Sequence, residues 1–154
     1  MALVGIVVGS ESDTELIQPA LDMLKELGVE YEFSVISAHR APERVREYGL
    51  EAETRGFKVI IAAAGYAAHL PGVLAGWTAL PVIGVPLPTS ELKGVDALLS
   101  ITQMPGGVPV ACTGMGRSGA KNAALLATQI LGVQYEEIRE NYRRYRQRLA
   151  EGKT

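Results

Sequence analysis

What most constrains the fold of this chain is an alternation. Five short apolar runs, Leu3–Gly9, Glu32–Ile36, Lys58–Ala64, Pro81–Val85 and Val108–Cys112, are separated by segments with helical periodicity. Continuous apolar runs of this length suit strands covered on both faces; Glu32–Ile36 is the most mixed of them. Leu16, Ala20, Leu24 and Leu27 fall on one helical face that closes at Gly28, a C-cap residue. Ser12 and Glu15 form a capping-box pattern at its start, and Pro19 inside it predicts a kink. Pro42 stands where a second helix begins and Gly56 where it ends. Segments 69–78, 94–103 and 117–131 are further helices, the last with a small-residue face of Ala120, Ala123, Ala124 and Ala127 ending at Leu131. Five strand-then-helix units in a row predict an α/β fold with a parallel sheet between two helical layers.

The last segment differs in character. Ile138, Tyr142, Tyr145 and Leu149 follow helical spacing, and five arginines share the remainder. The reading is one α/β domain over residues 1–132 with a helical extension over 133–154, docked on its own domain or on a neighbouring subunit. A net charge of -2 gives no reason to expect nucleic acid or membrane binding. No apolar run is long enough to span a bilayer, the N-terminus lacks a secretory pattern, and the single cysteine, Cys112, excludes an internal disulfide. A cytoplasmic location is expected.

In a parallel α/β sheet, ligands bind beyond the carboxyl ends of the strands. There the sequence offers Gly9-Ser10-Glu11-Ser12-Asp13 after the first strand and Ser37-Ala38-His39-Arg40 after the second. After the third come Gly65, Tyr66 and, slightly further on, His69. Both histidines of the chain therefore fall on the same predicted edge. The Gly9–Asp13 turn, leading into a helix N-terminus, suits an anion or a ribose; Ser12 and Asp13 also suit simple helix capping, and the two roles are compatible. Arg40 can hold a phosphate through paired hydrogen bonds, or stand as a surface arginine. Imidazole titrates near neutral pH and moves protons. A lone loop histidine is more often structural, but the place of His39 between Ser37 and Arg40 at a strand end favours chemistry. His69 suits either a helix cap or the site. No His/Cys/Asp/Glu set has metal-ligand spacing, and no nucleophile elbow, Walker loop or dinucleotide fingerprint is present.

Together the segments GSESD, SAHRAP, AGYAAHLPG, LPVIGVP, GVDALLSITQMPGGVPV and GAKNAALLA, in this order from Val4 to about Leu131, resemble the class I N5-carboxyaminoimidazole ribonucleotide mutase family of bacterial purine biosynthesis. The resemblance implies a flavodoxin-like three-layer αβα sandwich with a five-stranded parallel sheet and a C-terminal helix. It implies a homo-octamer acting on a small nucleotide, without metal or organic cofactor. The implied reaction moves a carboxylate from nitrogen to ring carbon by decarboxylation and recarboxylation, with His39 shuttling the proton. It also implies that Ser10, Asp13 and Arg40 bind the nucleotide, with Ser12, Ser37, Gly65 and His69 nearby.

Three departures from the family's pattern bear on the site. Tyr66 replaces the second glycine of the usual Ala-Gly-Gly-Ala-Ala-His-Leu-Pro-Gly, which is costly if that position needs positive φ. Ala63 stands where glycine is usual. Ala41 replaces a threonine before Pro42, removing a helix cap worth about 1 kcal/mol. The alternatives are the class II relative, which carboxylates aminoimidazole ribonucleotide directly with carbon dioxide, a non-catalytic flavodoxin-like binding module, and a degenerate homologue.

Overall fold

The computed structural model describes residues 1–153. Five strands, β1 (Val4–Val8), β2 (Tyr31–Val35), β3 (Val59–Ala64), β4 (Val82–Pro86) and β5 (Ala111–Cys112), form one parallel sheet in the order β2-β1-β3-β4-β5. Six helices accompany them: α1 (Thr14–Glu26), α2 (Pro42–Glu51), α3 (Leu70–Trp77), α4 (Val95–Thr102), α5 (Gly116–Gly132) and α6 (Glu136–Ala150). This is the parallel α/β sandwich expected from the alternation of runs, in the flavodoxin-like form that the resemblance implies.

The three central strands are the three most apolar runs, and every residue of β1, β3 and β4 is buried. Their side chains alternate between two cores. Val4, Ile6, Val8, Val59, Ile61, Ala63, Ile83 and Val85 face α1 and α5, whereas Val7, Ile60, Ala62 and Val82 face α2, α3 and α4. Each fully buried isoleucine or leucine contributes about 1.5–3 kcal/mol, so both layers are strongly held. The edge strands differ. β2 is only half-buried along its length, which accounts for its mixed sequence. β5 is shorter than the run Val108–Cys112 suggested: Val108 is bound in a turn to the Pro105 carbonyl, and Pro109 has no N–H to offer a ladder.

α1 runs through Pro19 without ending. Proline leaves the carbonyl four residues back, that of Glu15, without its helical donor. Arg117 Nη1 at the start of α5 donates to it instead, at 2.9 Å. At the other end Gly28 (φ 70) donates to Lys25 O and Val29 to Leu24 O, a Schellman closure that glycine permits. The alanine face of α5 is fully buried and lets α1 approach closely. α6 lies across these two helices: Ile138 and Tyr145 enter their core, Asn141 Nδ2 donates to Leu27 O at 2.9 Å, and Arg148 pairs with Glu26. Among the described residues no helix is long and apolar enough to cross a membrane.

The register places the function-bearing loops together. Val8 lies opposite Val35 on one side and Ala63 on the other. The chain leaves β1 for β2 in one direction and reaches β3 in the other, so the loops after these strands flank a topological switch point.

Candidate active site

At that switch point the loops enclose a cleft of about 520 Å³. All eight residues singled out from the sequence line it: Ser10, Ser12, Asp13, Ser37, His39, Arg40, Gly65 and His69. Thr89, after β4, also lines it. It went unmarked in the sequence, where only its place beyond a strand end pointed to it.

The Ser10–Asp13 segment is not the capping box expected from Ser12 and Glu15. Residues Glu11–Asp13 form a tight 3-10 turn closed by Asp13 N donating to Ser10 O at 3.0 Å. The cap thus moves upstream. Ser10 Oγ accepts from Ser12 N at 3.4 Å and shares a hydrogen bond with Ser12 Oγ at 2.9 Å, while α1 itself starts without a side-chain cap. Two hydroxyls and the first turn of a helix therefore face the cleft. Asp13 is buried, and burial pushes its carboxyl above the ordinary value, with a backbone hydrogen bond from Ser10 opposing.

Ser37 has a local task. Its hydroxyl accepts from Arg40 N at 3.2 Å and its carbonyl from Ala41 N at 2.9 Å, fixing the turn that presents His39 and Arg40. The Arg40 guanidinium is exposed and pairs with no carboxylate among the described residues. Ala41 begins α2 with no side-chain cap, the expected consequence of lacking threonine there.

The centre of the cleft is an imidazole pair. His39 Nε2 lies 2.6 Å from His69 Nδ1, with the rings perpendicular and their centroids 4.8 Å apart. His69 occupies the residue before α3, but its side chain caps nothing. A nitrogen–nitrogen hydrogen bond needs one protonated and one bare nitrogen. One ring therefore donates its N–H to the other at the edge of a ligand-sized space. Small side chains, Ala64, Ala67 and Ala68, complete that wall. Among the described residues no group of His, Cys, Asp and Glu is arranged to hold a metal ion.

The loop after β3 carries backbone strain. Tyr66 has φ 55, the left-handed region that costs a residue with a Cβ roughly 1–2 kcal/mol. Position 66 thus does require positive φ, as its usual glycine suggested. Tyr66 lines the cleft, and its ring stacks on neither imidazole. Gly65 before it has no freedom to be anything larger: a Cβ would collide with Thr89 Oγ1 and crowd Leu87 O. Ala63, the other departure, is fully buried in the sheet, away from the cleft lining.

Comparison with known proteins gives this geometry a context. A family model described as AIR carboxylase matches residues 3–152. A Pyrococcus horikoshii protein named N5-carboxyaminoimidazole ribonucleotide mutase is 57% identical over 143 residues, covering 93% of this chain and 80% of the relative. A Bacillus subtilis protein of the same name is 58% identical over 136 residues, covering 88% and 84%. Among solved structures, Treponema denticola PurE superposes with a TM-score of 0.87 at 31% identity, covering 99% of this chain and 94% of that one. A 3-dehydroquinate dehydratase-like protein from Bifidobacterium longum, at 21% identity and a TM-score of 0.52, covers 86% of this chain and 99% of its own and shares the fold alone.

Proposed function

Since this chain belongs to the AIR carboxylase family, we propose that it is an N5-carboxyaminoimidazole ribonucleotide mutase, an isomerase of purine biosynthesis. The observation that carries the reading is the imidazole pair at the rim of a small-residue cleft. The reaction needs a proton delivered and a proton removed in turn, and needs carbon dioxide retained between the two.

The steps balance as follows. The bond between the exocyclic nitrogen and its carboxylate breaks, the electron pair stays on nitrogen, and His39 supplies the proton that nitrogen then needs. Carbon dioxide is released into the cleft. The adjacent ring carbon attacks it, a carbon–carbon bond forms, and His39 takes the proton that this carbon loses. No proton is gained or lost overall, so one imidazole restored at each turnover suffices. A dry, close-fitting wall keeps the gas beside the ring. Ala64, Ala67 and Ala68 support that requirement, because none carries a polar atom beyond the backbone.

The remaining assignments belong to the same proposal. Arg40 holds the phosphate, and its free guanidinium supports that role. Ser10, Ser12 and Asp13 hold the ribose side of the nucleotide, with Ser37 and Gly65 shaping the turns and His69 positioning His39. Assembly as a homo-octamer is also proposed. Leu92, in the turn before α4, and Val95 and Leu99 on it are each more than half exposed, apolar surface suited to burial against another copy. Residues 133–154 extend the domain 1–132, and the free thiol of Cys112 suits a cytoplasmic setting.

Supplying each substrate separately tests the reaction. The mutase reading expects turnover of N5-carboxyaminoimidazole ribonucleotide without added bicarbonate. Turnover that requires bicarbonate and ignores the N-carboxylated substrate would assign the chain to direct carboxylation.

A further inference from the structure

One residue lining the cleft has no task in the chemistry above. Tyr66 keeps a left-handed backbone that glycine adopts freely and tyrosine only at a cost. Its neighbours hold it there. Gly65 is pinned against Thr89 and Leu87 O, and Ala68 and Leu70 on the other side are buried. Among the described residues no aromatic or hydrogen-bond partner offsets that cost. The residue is 63% exposed, and among the described residues its ring stacks on no other aromatic side chain and its hydroxyl makes no hydrogen bond. A large aromatic side chain left mostly exposed, on strained backbone, at a residue that lines a ligand-sized cleft, is a surface for something flat.

We propose that Tyr66 is a substrate-contact residue whose ring covers the planar imidazole of the bound ribonucleotide and sets how tightly this enzyme holds it. The proposal rests on the mutase reading and adds to it a contact that a glycine at position 66 would not make. Stacking against a heteroaromatic face is tolerant of angle, so the ring needs no partner hydrogen bond to act. Its strain becomes a fixed cost of the free protein, recovered through the ligand.

The experiment compares the full chain with Tyr66→Gly and Tyr66→Phe. It measures thermal unfolding, assembled mass in solution, and turnover of 4-carboxyaminoimidazole ribonucleotide in the reverse direction. Removing the strain should raise the melting temperature of Tyr66→Gly by about 2–4 °C. Losing the stack should raise its KM roughly tenfold at unchanged mass. Tyr66→Phe should keep the parent's KM, since the ring and not the hydroxyl acts. A parent-like KM in Tyr66→Gly overturns the proposal. So does a fall in assembled mass, which would make the ring a subunit contact. A parent protein that leaves the ribonucleotide untouched would remove the mutase reading itself, and the parent's own rate tells that result apart from the others.

Discussion

His39 Nε2 and His69 Nδ1, thirty residues apart in the chain, stand 2.6 Å apart in the cleft. Each ring fixes the orientation of the other through that hydrogen bond. His39 lies on a turn set by Ser37 and His69 at the foot of α3, so two separate elements hold the pair. Replacing His39 by asparagine should lower turnover by at least about a hundredfold, the range lost with a general acid–base group. Nucleotide binding by calorimetry should stay near the parent's. His69→Asn should act differently, lowering kcat while KM stays near the parent's, because His39 loses the partner that orients its ring. Full activity of His39→Asn would take His39 out of the mechanism.

Arg40 presents an unpaired charge, and its substitution should show in binding. A charge-assisted hydrogen bond is worth about 1.5–3 kcal/mol, so Arg40→Ala should weaken ribonucleotide affinity by roughly ten- to a hundredfold. Inorganic phosphate should compete with the ribonucleotide in the parent and much less in the variant. Loss of turnover at unchanged affinity would contradict a phosphate-holding role.

Asp13 gives the fold a pH dependence of definite sign. Burial raises its carboxyl above the ordinary 3.8, so the folded state favours the neutral form. Its contribution to stability is complete below the ordinary value and lost as pH rises through the folded value, leaving the ionised group a net cost at neutrality. Asp13→Asn should therefore melt higher than the parent at pH 7, the gap closing toward pH 3.5. The same variant should bind the ribonucleotide less well. A lower melting temperature at pH 7 would show that the buried carboxylate is better paired than its surroundings indicate.

Gly65 and Thr89 form a steric stop between the loops after β3 and β4. Gly65→Ala should cost about 1–3 kcal/mol by overpacking, read as a lowered denaturation midpoint. Adding Thr89→Ala, which removes the hydroxyl in the way, should recover part of that loss. Purely additive costs would mean that the loop yields elsewhere.

The sheet was legible because its central strands are buried on both faces, and continuous apolar runs record that directly. β5 was less so. Its run is apolar, but the ladder is broken by backbone facts at Val108 and Pro109 that an apolarity pattern does not carry. The site was legible as a set of strand ends, since the topological rule brings loops 9–13, 37–40 and 65–69 together. The bond between the two histidines was not, because side-chain direction depends on the turn Ser37 makes and on the start of α3. Ser12 misled for a related reason. Ser-x-x-Glu matches a capping box, yet the tight turn before α1 gives Ser10 the cap. Tyr66 was foreseeable as a condition on φ, which the backbone met, and as a ring that could displace the loop, narrow the pocket or sit beside the imidazole, whereas the ring stacks on neither histidine.

The link from Arg117 to the Glu15 carbonyl has a consequence in time. The two residues are 102 positions apart. At about 5–20 residues per second of synthesis, roughly 5–20 s separate the emergence of α1 from that of its missing donor. During that interval the helix beside the Ser10–Asp13 turn has an open carbonyl in its first turn, and the alanine face of α5 that backs it has not yet been made. The first ninety residues carry every side chain of the cleft, but the helix that steadies the Ser10–Asp13 turn is completed only when α5 arrives. A nascent chain thus acquires the parts of its site early and their rigidity late.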